Sequence, residues 1–256
     1  MVFMAALKKE WLENIRKFRL LIVIGVFLLI GILSPTSAKL MPRMFELFEK
    51  SMDSQGMTLS LNKQPAVADA LLQYNKNFGM IPLFIIILAA GLVSEEKMRG
   101  TAETVLTKPL PRHTFVYSKF FCMLLVLLAG MVTGAISCLF YTNVLFDGLD
   151  TGKYLLMNLL LFFYILPFLS IALFFSVMFN STSASSGAGI AAYFIVLLSG
   201  AVPGIAKFTP QGLYLCTSKM AQNLPAGEWG GPLSSSVIIV FFLVIASTTI
   251  FKKQDI

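Results

Sequence analysis

His113, the sole histidine of the 256 residues, is the first residue to weigh for acid–base or metal chemistry, because imidazole titrates near neutrality and ligates metals. It stands beside Arg112 in a basic stretch, where a solvated structural role fits better. No His-Glu-x-x-His, no Gly-x-Ser-x-Gly and no pair of carboxylates within an apolar run occurs. Cys122, Cys138 and Cys216 lack metal-ligand spacing, and two of them lie inside apolar runs, so they read as small hydrophobes. A Gly-x-x-x-x-Gly-Lys-[Ser/Thr] loop, whose backbone would cradle nucleotide phosphates, is also missing, and the chain is not expected to hydrolyse ATP itself. The sequence therefore supplies no catalytic and no metal-ligating set.

What it does supply is hydrocarbon. Hydrophobic residues make up 57% and charged residues 13%, against about half and about a quarter in soluble domains. Between 154 and 206 there is no Asp, Glu, Lys, Arg or His. Six segments have membrane-spanning character, at about 18–33, 78–93, 120–146, 154–178, 186–206 and 233–251. Backbone groups cannot go unpaired in lipid, and no ten-residue alternation suggests a barrel, so each should be helical. The first two are short: sixteen residues rise about 24 Å against a hydrocarbon core of about 30 Å. The fold expected is an all-α membrane protein with six transmembrane helices, forming a single transmembrane domain over 1–256. Apart from Arg19 at one edge, these spans carry no ionisable residue, which disfavours a proton-coupled antiporter.

Before the first span, Leu7, Trp11, Ile15 and Phe18 follow one another at spacings that place them on one helical face, with Lys8, Lys9, Arg16, Lys17 and Arg19 elsewhere. This predicts an amphipathic helix over 1–17 lying on an anionic membrane surface and contacting lipid. A cleaved secretory signal is the rival reading; the length of the basic region and the presence of Glu10 and Glu13 argue against it. The net charge of +7 does not indicate nucleic-acid binding, because the basic residues form short clusters beside the apolar runs rather than one stripe. Twelve of the twenty lysines and arginines fall on one side of the spans, and five of the other eight lie in the long segment 34–77. Both termini are therefore expected in the cytoplasm. The segments 34–77 and 207–232 would lie outside, the latter rich in Pro and Gly and able to dip back toward the membrane.

The segment over 95–118 is the informative loop. Thr101 is a reasonable N-cap for a short helix, Glu103 sits in its positive first turn, and Pro109 prevents continuation. Ala102, Val105 and Leu106 form a small apolar face. So short a helix is not stable alone and makes most sense docked on a partner. The string Glu95-Glu96-Lys97-x-Arg99-Gly100-Thr101-x-Glu103, followed by Leu106, Pro109, Arg112 and Lys119, closely resembles the signature between the second and third helices of ABC type 2 permeases. Met98, Ala102 and Pro111 depart from that pattern.

The resemblance implies that this stretch is a coupling helix entering a cleft on a separate ATP-binding cassette subunit. Glu95, Glu96, Arg99, Gly100, Thr101, Glu103, Val105, Leu106, Pro109 and Arg112 would be the coupling residues. The 1–17 helix would be the family's elbow helix, and 207–232 would form short re-entrant helices closing the outer gate. ATP and Mg would bind the partner ATPase, and a second permease copy or a paralogue would complete the pathway in a cell membrane, with a bacterial origin fitting best. The implied function is export of an amphipathic or hydrophobic substrate; the residues that bind it are not specified. A non-transporting membrane scaffold or immunity protein, or an ATP-independent transporter or channel, is the alternative. Gly130-x-x-x-Gly134 and the small residues Ser183, Ser186, Gly187 and Gly189 read as packing positions, with a subunit interface or substrate path as the rival.

Overall fold

A computed structural model describes residues 2–52, 66–100, 111–225 and 227–254, and every regular element among them is a helix. In chain order these are α1 (Val2–Arg16), α2 (Arg19–Met52), α3 (Val67–Phe78), α4 (Ile81–Ala89), α5 (Gly91–Met98), α6 (Arg112–Leu145), α7 (Thr151–Met178), α8 (Thr182–Ser199), α9 (Pro203–Ala206), α10 (Pro210–Ala221) and α11 (Gly230–Lys253). Among the described residues, six stretches are long and apolar enough to cross a membrane: Arg19–Met41, Val67–Met98, Arg112–Leu145, Thr151–Met178, Thr182–Ser199 and Gly230–Lys253.

The two short spans turn out to be parts of longer ones. α2 runs on through Pro35, so its apolar start is not left short of the bilayer. The second span is built in three pieces, α3, α4 and α5, with breaks at Gly79–Met80 and Ala90. Pro82, near the start of α4, has no N–H to continue the ladder, which accounts for the first break. α6 begins at Arg112, eight positions before the apolar run at 120, and as a 34-residue helix reaches about 51 Å. Lys119 is thereby moved from an expected loop into a membrane helix.

α7 is the central helix. Its most apolar window is 72% buried, against 17% for α8 and 28% for α11, which present Phe194, Ile195, Leu198, Phe241 and Phe242 outward. Pairing of α2 with α6 depends on absent side chains. A Cβ on Gly31 would stand 2.5 Å from the Gly134 carbonyl oxygen, one on Gly134 2.9 Å from that of Phe27, and one on Gly130 2.6 Å from Val23 Cγ1. The Gly130-x-x-x-Gly134 pair thus packs within the chain. Gly189 meets Ile86 in the same way, whereas a Cβ on Gly187 would meet nothing within 4 Å. Several polar groups buried in the bundle pair with one another. The Tyr74 hydroxyl donates to Asn158 Oδ1 (2.9 Å), the Asn158 amide to the Tyr154 carbonyl (3.0 Å), and the Tyr154 hydroxyl to the Ala135 carbonyl (2.8 Å).

The α2–α6 contact makes a direct prediction. Gly134→Val should lower stability by about 1–3 kcal/mol through overpacking, read as a lower thermal midpoint in detergent, while Gly187→Ala should leave the midpoint unchanged.

Candidate functional site

Charged residues gather at the α1 end of the bundle, where α1, α5, the first turns of α6 and the end of α11 meet. On α1, Ala6, Glu10 and Asn14 recur every four residues and form the buried face. On α6, Phe115, Lys119, Cys122 and Val126 share a buried face at spacings of four, three and four, so one ammonium stands on an otherwise apolar surface. On α5, the neighbours Glu95 and Glu96 point about 100° apart, Glu96 inward and Glu95 to the rim.

Lys119 is 1% exposed and lies between two carboxylates on different elements, Glu10 Oε2 at 3.0 Å and Glu96 Oε1 at 2.9 Å. Its Nζ also stands 4.9 Å from the Phe115 ring centre, a cation–π distance. Lys9 closes the ring from the surface, reaching Glu10 at 3.2 Å and Glu96 at 3.1 Å. A second, more exposed group continues from it. Lys17 binds Glu13 at 2.8 Å and Glu95 at 2.9 Å, and Glu95 is also met by Arg99 at 2.8 Å and Arg19 at 3.5 Å. Asn14 ties α1 to α6 once more, its amide donating to Cys122 Sγ at 3.2 Å. Glu10, Glu13 and Glu96 bring one oxygen each within 4.8 Å of one another, and the ammonium groups of Lys9, Lys17 and Lys119 supply the balancing charge.

These environments shift the titration of the α1 groups. Burial opposes ionisation of Lys9, but Glu10 and Glu96 outweigh it and hold the ammonium above its ordinary range. Burial likewise opposes the charge on Lys17, and Glu13 and Glu95 more than reverse it. Burial would raise the Glu13 carboxyl, yet Lys17, Lys119 and Lys9 bring it below its ordinary value.

The residues flanking 101–110 are tied down on both sides. Arg99 and Gly100 end α5, Gly100 at φ 67°, the left-handed conformation that a helix C-terminus favours for glycine. Lys97 donates to the Val177 carbonyl at the end of α7 and to the Gln254 side chain. Arg112 opens α6 and donates to the carbonyls of Phe251 (3.4 Å), Lys252 (3.1 Å) and Gln254 (2.6 Å), filling acceptors that the end of α11 leaves open. Phe115 stacks on Phe251 with ring centres 5.2 Å apart.

Residues 4–256 match the family model described as ABC-2 family transporter protein. The chain belongs to the ABC-2 transporter family. It is also similar to an uncharacterized transmembrane protein, YxlG, of Bacillus subtilis (strain 168), 21% identical over 263 residues that cover 99% of this chain and 98% of that protein. The chain is accordingly a transmembrane permease subunit of an ABC transporter, of a family whose members are typically non-catalytic and work with an ATP-binding cassette partner.

Of the residues the sequence nominates for coupling in this ABC-2 permease, Glu95, Glu96, Arg99, Gly100 and Arg112 are described, and Thr101, Glu103, Val105, Leu106 and Pro109 lie outside the described residues. Glu96 faces the protein interior and Arg112 is engaged with α11. Leu7 and Trp11 are half-buried and Ile15 is exposed; Phe18 lies past the end of α1 at φ 56°, in the turn into α2, and is exposed as well. His113 is exposed and edge-on to Tyr117. Sequence reasoning missed Glu10 and Lys119 as partners. The available signal was a charge repeating in step with a buried face, Lys119 with Phe115 and Cys122.

Removing Lys119 would leave Glu10 and Glu96 buried against Lys9 alone, a change that costs about 3–5 kcal/mol where a buried pair loses one member. Lys119→Met should therefore lower the thermal midpoint strongly, and Glu10→Gln in the same chain should restore part of the loss. A pH series adds a second check. Glu13 contributes stability above its ordinary value of 4.5, lost as pH falls through its lowered folded value. Lys17 contributes below 10.5, lost as pH rises through its raised folded value. The difference in midpoint between the unaltered chain and Glu13→Gln should be full between those limits and vanish in stronger acid.

Proposed function

We propose that the protein is the permease subunit of an ABC exporter and that the ion-pair cluster at the α1 end carries movement from the ATPase into the membrane helices. A cell-membrane location with both termini in the cytoplasm is part of this reading, as is α1 lying in the membrane interface. The observation that supports it most is Lys119 held between Glu10 of α1 and Glu96 of α5. That arrangement joins the helix on the membrane surface, the helix entering 101–110 and the helix leaving it.

In this mechanism ATP and Mg bind a separate ATP-binding cassette subunit, and two such subunits close on each other. The segment around Glu103 and Val105 sits in a cleft on that partner and is displaced with it. Because Lys97 precedes the segment and Arg112 follows it, and both are tied to other helices, displacement reaches α5 and α6 as a rigid-body shift rather than being absorbed by loose flanks. A second copy of the chain or a paralogue supplies the other half of the pathway. The stretch 154–206, without an acidic or basic side chain, suits an amphipathic or hydrophobic substrate, and short helices over 207–232 serve as the outer gate.

The test uses the permease reconstituted in vesicles with an ATP-binding cassette subunit supplied as its partner. Glu103→Ala and Val105→Pro should leave membrane insertion intact and abolish the permease's stimulation of ATP hydrolysis. Normal stimulation in both variants would overturn the coupling assignment, and flux in the absence of ATP would overturn the exporter reading.

A further inference from the structure

At the end of the bundle opposite α1, the α9–α10 corner and the start of α11 line a half-open cavity of about 440 Å³. Its size is that of a small-ligand site. Lys207, Lys219 and Glu228 stand at its edge, and Leu215 and Pro232 give it an apolar wall. Neither lysine has a side-chain hydrogen bond or ion pair among the described residues, and both are exposed. Two ammonium groups against one carboxylate leave the rim positive.

The surroundings are those of a membrane–water boundary. Phe208 is 70% exposed, and Ile205, Leu224 and Trp229 are also exposed. On α10, Leu215, Cys216 and Lys219 fall at spacings of three and four, which puts an apolar side chain, a thiol and an ammonium on one face. The other side of α10 is filled by buried Leu213, Thr217 and Met220, packed toward α7 and α3. The cavity-facing side of this helix is therefore not needed for the core.

We propose that this cavity binds the anionic headgroup of a membrane phospholipid. Lys207 and Lys219 pair with the phosphate through charge-assisted hydrogen bonds, and the acyl chains run over Leu215 and Phe208 into the bilayer. A zwitterionic headgroup places a cation of its own beside the same lysines and loses part of that attraction. Free phosphate gains the charge pairing but leaves the apolar wall uncovered. The inference goes beyond the exporter reading and holds whether or not the chain transports anything, so binding can be read without the ATPase.

Cys216 is the natural reporter, since it lines the cavity and is half-exposed while Cys122 and Cys138 are buried. The permease is placed in nanodiscs of phosphatidylcholine alone or of phosphatidylcholine mixed equally with phosphatidylglycerol, and the rate of labelling by a neutral maleimide is followed. Phosphatidylglycerol should slow labelling of Cys216 severalfold. A cysteine at exposed Ser234 on the same end, in a Cys216→Ser/Ser234→Cys chain, corrects for the surface potential of the anionic bilayer and should show much less slowing. In Lys207→Gln/Lys219→Gln, checked for an unchanged thermal midpoint, the Cys216 rate should become insensitive to phosphatidylglycerol; if that chain fails to fold, Lys219→Gln alone should reduce the slowing. Undiminished slowing in folded variants, equal slowing at both cysteine positions, or equal protection by inorganic phosphate in phosphatidylcholine discs would each overturn the proposal.

Discussion

A lysine ammonium withdrawn almost completely from water is the constraint around which one end of this protein is arranged. An ion of that size cannot remain charged in a low-dielectric interior without partners within hydrogen-bond reach. Lys119 has two, and they come from two other helices, Glu10 of α1 and Glu96 of α5. Each carboxylate is in turn met by Lys9. None of these groups can leave its place without exposing another buried charge, so the three helices are held in one geometry at this end.

The rest of the bundle follows a different rule. In the membrane no water competes for contacts, and closeness is gained by deleting side chains, as at Gly31 and Gly134, which approach backbone carbonyls across the α2–α6 contact, and at Gly130, which meets Val23. The central α7 is enclosed by apolar packing and a few satisfied polar pairs such as Tyr74 with Asn158. One end of the molecule is therefore fixed by specific charge geometry and the middle by shape. Placed on a permease that works with an external ATPase, this division suits force entering at the charged end and being conveyed along helices whose packing has few discrete arrangements.

The membrane architecture was largely legible in the sequence because the demand for uncharged residues acts along the chain itself. The stretch 154–206, with no ionisable side chain, leaves little choice. Helix ends were less legible. The loop expected at 95–118 is shortened at both sides, since α5 reaches Met98 and α6 starts at Arg112. Charged residues ordinarily mark such ends, and here Glu96 and Lys119 are buried instead, each made tolerable by the other. Glu10 was legible only as a charge that argued against a secretory leader. Its partner lies 109 positions away, a pairing that no local periodicity contains. On α1 the apolar stripe Leu7, Trp11 and Ile15 is legible by its spacing, whereas the face turned to the bundle is Ala6, Glu10 and Asn14.

On the coupling proposed above, the ion pairs make α1, α5 and the start of α6 a single moving body. This is tested most directly by the distance between spin labels at exposed Leu12 of α1 and exposed Met98 of α5, recorded by pulsed electron resonance in the permease–ATPase complex with and without bound ATP. One narrow distribution is expected, unchanged by ATP in the unaltered chain and broadened in Lys119→Met. A shift of the Leu12–Met98 distance on ATP binding with Lys119 intact would contradict it.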